Sequence, residues 1–517
     1  MRSHPELPYD RTASPINLAG TPPRPPFLER HWQAILLGLA FVIGVPTRLM
    51  SGYGLPLWFD ETFSAVIATQ PNLGSLLRWC LNELTGPAYY VPLWIWVKAF
   101  GASDVALRAA SMTCSLAAPL VILRYGSPDR LLRVFWCAIV LLWLPALIFA
   151  NDARSYAQLF LLGSVQAIAF LHLLRGPCTR RALSWTCVSV LLVLTHYYAI
   201  PIVGSQGVLY LLLGRQRAIK TWPAFLPVLL LLGWMAVHLP FVFGLSAACA
   251  ASCYAPTPNL LPLIPLLMFG TGLQGILLLA IIGLSTVVLL AKVPPKRGSF
   301  RTMGLAPEWA LVLSGALAFG LVLVFATVRP GFAPRYLAPC HPALLFAVAW
   351  WMRWSIDRSA IPVLALFAAM AGGMLQETRA ALTDTALDHR HLFNLEQPSA
   401  WLLQRHPDRL VFAFADPVGV ASSATPLGRA NVGEVGGFFL RRAGQAVEVV
   451  VAGRAHAPPS SSEVLSLAGT DPRSAILWIG NDVSSPGHIV PKLAEGSWEC
   501  RDFGKPMATV VACRRKR

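Results

Sequence analysis

What most constrains this chain is a series of apolar stretches, each of helix-spanning length, recurring from Trp32 almost to Leu375. About 20 apolar residues cross the hydrocarbon core, and in lipid only helices or closed barrels satisfy their own backbone polar groups. Only 13% of the residues are charged, against about a quarter in soluble domains. The sequence therefore predicts an all-α polytopic membrane protein. From about Ala380 the runs shorten and polar residues return, so 380–517 reads as a small soluble domain.

A net charge of +17 would suit a nucleic-acid binder, but the basic residues are confined to short loops between spans. These loops lie at 24–30, 124–133, 175–181, 215–220, 292–301 and 353–358, and the alternate loops are poor in Lys and Arg. That alternation is the positive-inside pattern, which fixes topology; no nucleic-acid partner is expected. Residues 1–31 are Pro-rich and lack a signal-peptide pattern, so they read as a retained cytoplasmic tail.

Within a transmembrane domain at 32–379, spans are expected near 32–50, 105–123, 134–150, 157–174, 183–198, 199–214, 222–243, 272–291, 307–328, 340–354 and 359–378, eleven in all. The loop 51–104 would be exoplasmic. Phe63, Val66 and Ile67, then Leu73, Leu76 and Leu77, fall at helical spacing there, which suggests helices lying in the interface. The stretch 89–100 is apolar but short, and reads as interfacial or re-entrant. Two short spans turn around His196-Tyr197-Tyr198; merging them would put every later basic loop outside. An odd number of spans sends the C-terminal domain to the exoplasmic side.

In that domain WLLQRHPDRLVFAFADP reads as helix then strand, AILWIG as a buried strand, and WECRDF with ATVVACR as a closing hairpin. A small α/β domain follows. Cys500 and Cys513 fall on the two arms of the hairpin, and Cys249 and Cys253 share one exoplasmic loop. Each pair is either a disulfide or two small buried hydrophobes.

This topology gathers scarce polar residues on one side. Asp60 and Glu61 follow the first span in GLPLWFDETFSAVIAT; Asn151, Asp152, Arg154 and Tyr156 form ANDARSY; His196 and Tyr197 mark a later turn; Arg335 and Tyr336 lie in RPGFAPRYLAP. A carboxylate at a bilayer is costly and needs a reason to be there. Carboxylates can take a proton from an acceptor hydroxyl or amine. Forked arginine donors suit a phosphate leaving group. A substrate with an apolar tail, a phosphate and a transferable group is a polyprenyl-phosphate sugar. Blander roles stand beside these: His196 as a turn residue packed on Tyr197, Arg335 as a snorkelling anchor, and Lys98 and Arg108 as anchors or partners for loop acids. His341 beside Cys340 has no spaced cluster to make a metal site.

WFDETFSAVIA resembles the signature of the C-type (GT-C) glycosyltransferase superfamily. More narrowly, it is similar to the branch of protein O-mannosyltransferases, the lipid A aminoarabinose transferase and related bacterial polyprenyl-phosphate-sugar enzymes. TGPAYYVPLWIWVKAFGASDVALRAAS resembles that branch's loop segment, which usually begins His-Pro-Pro-Leu; ANDARSYAQLFLL, THYYAI and PRYLAP resemble later elements. The match covers roughly 30–355. Two departures stand out: Gly86-Pro87 replaces His-Pro, and Ala-Asn replaces Ser-Arg before Asp152.

The resemblance implies an inverting transfer of a sugar from a polyprenyl-phosphate donor to a glycolipid, polysaccharide or protein acceptor. The setting would be the exoplasmic face of a bacterial inner membrane. Asp60 matches the catalytic base, and Glu61 would orient the acceptor. Asp152 matches a second acid that in some relatives helps hold a divalent metal such as Mg or Mn; no metal is otherwise expected. Arg154 and Arg335 would bind donor phosphate with Tyr156 and Tyr336, and His196 and Tyr197 could contact substrate. The alternatives are a flippase for lipid-linked sugars, a surface-polysaccharide polymerase or ligase, and a membrane scaffold. No GxxxxGK[ST] phosphate loop is present.

Overall fold

The computed structural model describes residues 27–50, 56–249, 264–269, 272–292, 307–328, 333–383, 394–415, 423, 425–453, 458–480, 486–494, 497–504 and 509–516. Most of the N-terminal tail, the Cys249–Cys253 pairing and Arg329 lie outside them. Helices stand at all eleven expected span positions. Eight are long and apolar enough to cross a membrane, and a bent pair, Arg130–Leu142 with Leu144–Ala150, makes a ninth if counted as one span. The other two, Thr179–Thr195 and His341–Ile356, have 17 and 16 residues.

The bend, 61°, was not foreseen, and its cause is only partly local. Trp143 is extended and Pro145 follows at the second position of the next helix, where its ring removes a donor. The carbonyls of Val140 and Leu141 are then taken by Arg48 near the end of α1 (Phe27–Met50), at 2.9 and 2.7 Å. Arg48 also donates to Gly44 O (2.6 Å) and Ser115 Oγ (3.2 Å), and is fully buried. A positive fork on a helix C-terminus satisfies orphan carbonyls and opposes the dipole.

The first loop folds as helices: α2 (Phe59–Ala68), α3 (Leu73–Cys80), capped by the Asn72 side chain, and α4 (Pro87–Phe100). At 14 residues, α4 is about 21 Å long, too short to span. The indoles of Trp94 and Trp96 tie it to Gln70 O and Ala106 O, both at 2.8 Å. Next comes α5 (Asp104–Tyr125).

The C-terminal domain is a five-stranded sheet of order β2-β1-β3-β5-β4. The strands are β1 (Arg409–Phe414), β2 (Glu448–Ala452), β3 (Ser474–Gly480), β4 (Trp498–Asp502) and β5 (Thr509–Arg515). The first three pair in parallel; β5 and β4 close the sheet antiparallel, as the hairpin reading predicts. Cys500 and Cys513 sit directly opposite one another and form a disulfide.

Period-two alternation gives each face its own core. Val411, Ala413, Ile476 and Trp478 pack under the helices Ser461–Ala468 and Pro486–Leu493. Leu410, Phe412, Phe414, Leu477 and Ile479 face the other way and share one cluster with Phe59, Val66 and Leu76 of the first loop. The Phe59 and Phe414 rings meet edge-on at 4.8 Å. An Asp104–Arg442 ion pair (2.5 Å) and a Gln70–Glu434 hydrogen bond (3.0 Å) complete the seam. The sheet domain is thus seated on the helix that carries the acidic pair.

Candidate active site

The acidic pair opens α2, and one helical step turns its two carboxylates apart. Glu61 is the third helical residue and reaches back to accept the Trp58 N–H (3.1 Å), as capping carboxylates do. It is completely buried. Arg108 of α5 grips it with Nε on Oε1 (2.8 Å) and Nη2 on Oε2 (2.5 Å), and the Ala153 N–H adds 2.8 Å to Oε1. Glu61 therefore binds the start of α2, α5 and the ANDARSY turn to one another. Of the two roles the sequence left to Arg108, partner to a loop acid is the one observed.

Asp60 points instead into a cleft, its side chain 29% exposed, with Oδ2 at 3.2 Å from Arg335 Nη2. Arg154 Nη1 donates to the Asp60 carbonyl (3.2 Å), and its Nη2 stands 3.5 Å from Glu83 Oε1. The Arg335 guanidinium lies 5.6, 5.7 and 5.9 Å from the ring centroids of Trp58, Tyr156 and Tyr336, a cation–π cage that fixes its charge in place. Arg154 Nε and Arg335 Nε are both buried without a hydrogen-bond partner among the described residues. Buried donors left in this state call for an acceptor, a bound water or a ligand.

Around this centre, Asp152 Oδ1 accepts the Trp58 indole N–H at 3.1 Å. Burial, reinforced by the nearby Glu61 charge, pushes its carboxyl up to about 7 against the pull of Arg154 and Arg335. Burial likewise raises Glu83. His196 is driven down to about 3 by burial and then by Arg154 and Arg335, so it is neutral. Its Nδ1 accepts the Tyr198 N–H at 3.3 Å, which leaves the proton on Nε2. The His196 ring lies 5.2 Å from Tyr336, and Tyr336 stacks on Tyr198 at 4.8 Å. Tyr197 turns away; its hydroxyl meets His238 Nδ1 at 2.8 Å on the span that begins at Val228.

Glu83 and Trp58 are members of the site that sequence reasoning passed over. Glu83 carried a signal, being a further acid in the same apolar first loop as Asp60 and Glu61; Trp58 carried none. The Gly86 departure has a geometric reason. Thr85 bridges His196, the Gly86 N–H donates to Thr195 O at 2.9 Å, and a Cβ at 86 would collide with the Leu194 carbonyl oxygen. Glycine is what lets the Glu83 turn lie against the His196 turn. Among the described residues no group of three His, Cys, Asp or Glu side chains could hold a metal; Asp60 and Asp152 face guanidinium and indole donors instead.

Scanned against protein-family models the chain finds no match, and a search of curated proteins finds none either. Solved structures do match. The bundle with its helical first loop and appended sheet domain is the C-type glycosyltransferase fold. Within that class the likeness is to ArnT from Cupriavidus metallidurans. The apo crystal structure aligns with a TM-score of 0.57 over 94% of this chain and 98% of that one, at 12% identity. The structure bound to undecaprenyl phosphate aligns at 0.53, 93% and 98%, with 13% identity. At such identity it is the fold that is shared.

Proposed function

We propose that the chain is an integral membrane glycosyltransferase that moves a sugar from a polyprenyl-phosphate donor to an acceptor on the exoplasmic side. The observation that carries this reading is Asp60, met at its carboxylate by Arg335 and at its main-chain carbonyl by Arg154, two guanidinium groups that each keep a buried donor unused. A base beside phosphate-binding forks is what a displacement at a phosphate-activated anomeric carbon requires. The fold likeness to a protein crystallised with undecaprenyl phosphate points the same way.

In the proposed step Asp60 takes the proton of the acceptor hydroxyl or amine as that atom bonds to the anomeric carbon. The bond from that carbon to the phosphate oxygen breaks, and its electron pair leaves with the lipid phosphate. One displacement inverts the centre. Arg154 and Arg335 receive the departing anion, with Tyr156 and Tyr336 walling the pocket. Glu61 acts as a positioning residue, holding Asp60 and the Asp152–Arg154 turn in register. Neutral His196 offers an Nε2–H donor towards the sugar without adding charge. No step is routed through a metal.

Asp60→Asn tests the reading. In membranes offered labelled polyprenyl-phosphate sugars, transfer should fall by about 10²–10⁴-fold with the protein still folded. Undiminished transfer by the variant would remove Asp60 as base, and sorting label into lipid, glycan and protein fractions names the acceptor.

A further inference from the structure

A second cavity, of about 300 Å³, lies at the end of α5 remote from Asp60. Four helices supply its walls: Arg124 and Tyr125 end α5, Arg133 comes from Arg130–Leu142, His172 and Arg175 from Tyr156–Arg175, and Arg181 from Thr179–Thr195. No carboxylate is among the lining residues described. Glu308 pairs with Arg175 Nη2 at 2.6 Å, yet Arg175 Nη1 is buried without a hydrogen-bond partner. Arg181 donates to the carbonyls of His172 and Gly176 (3.3 and 2.9 Å), which aims its fork without neutralising it. Arg124 lies 4.8 Å over the Tyr125 ring.

Topology alone asks only that basic residues stay on one side of the membrane, spread in water. It does not ask four elements to turn guanidinium groups onto one void, where like charges repel. An anion in the void reverses that cost. We propose that this cavity binds a phosphate ester or free phosphate, presented by an anionic lipid headgroup of the adjoining leaflet or from solution. The site is separate from the Asp60 cleft, and its existence does not depend on the reaction assigned there.

The test uses the full chain in phosphatidylcholine nanodiscs, titrated in separate arms with short-chain phosphatidylglycerol and with inorganic phosphate. Binding is read by native mass spectrometry and by the unfolding midpoint. Saturable binding in either arm supports the site, and the arm that binds names the source. Replacing Arg124 and Arg133 together by Gln should weaken binding about 25-fold, at about fivefold per arginine. The matched pair Arg180→Gln and Arg358→Gln, exposed and outside the cavity, should stay within about twofold. If the double variant fails to fold, Arg133→Lys keeps the charge, and binding should then weaken by no more than about threefold. Absence of binding in both arms, or equal loss in the matched pair, overturns the proposal.

Discussion

Glu61 and Asp60 are neighbours in sequence with opposite predicted phenotypes, and Glu61→Gln separates them most sharply. Each oxygen of Glu61 takes two donors: the Trp58 N–H and Arg108 Nη2 on Oε2, the Ala153 N–H and Arg108 Nε on Oε1. A glutamine keeps one of these acceptors and turns an NH₂ group on the other pair of donors. It also leaves the Arg108 charge buried without its carboxylate. Breaking a buried pair this way costs about 3–5 kcal/mol. By contrast the Asp60–Arg335 pair has side chains 29% and 36% exposed, so Asp60→Asn should cost about 1 kcal/mol or less. Purified variants in nanodiscs should show a clearly lowered unfolding midpoint for Glu61→Gln and a near-native one for Asp60→Asn. Turnover should fall by about 10²–10⁴-fold in Asp60→Asn whatever the temperature, and be partly recovered in Glu61→Gln on cooling. A Glu61→Gln protein that unfolds like wild type yet is inactive refutes the positioning role and makes Glu61 a group that touches substrate.

Arg48→Met should lower stability by about 3 kcal/mol or more, because three backbone carbonyls lose a charged donor; thermal unfolding checks it, with Arg48→Lys intermediate. For Asp152, the folded carboxyl lies at about 7, above the ordinary carboxylate value of about 4, so the folded state holds the extra proton between the two. Stability should therefore fall as pH rises from about 4 to 7 and then level off, and Asp152→Asn should flatten that slope in unfolding scans. Cys178 is exposed and lies in the basic loop at 175–181. A membrane-impermeant maleimide should reach it in intact cells only after permeabilisation, with Cys178→Ser as the blank. Labelling from outside would invert the topology.

The bundle was legible because each span carries its own apolar run, and the sheet domain because helix, strand and hairpin signals are local. The break at Trp143 was not, since it is stabilised by Arg48, far away in sequence. Asp60, Asp152, Arg154 and Arg335 could be placed on one side from loop polarity alone. That Glu61 is enclosed while Asp60 is open depends on the rotation of α2 against α5, which no pattern within DET reveals. Tyr197 and Tyr198 are adjacent too, and only the stacking of Tyr198 on Tyr336 decides which one joins the site. Glu83 joins through Gly86, whose value lies in a backbone contact with a turn more than a hundred residues later.

The seam between sheet and bundle makes Phe59 a hinge pin: its ring beds against Phe414, and the next peptide bond leads to Asp60. Any tilt of the sheet domain is therefore handed to the Asp60 carboxylate within one residue. Cutting the domain away would strip α2 of its apolar backing, so what the domain contributes is better dissected by resurfacing it than by truncating it.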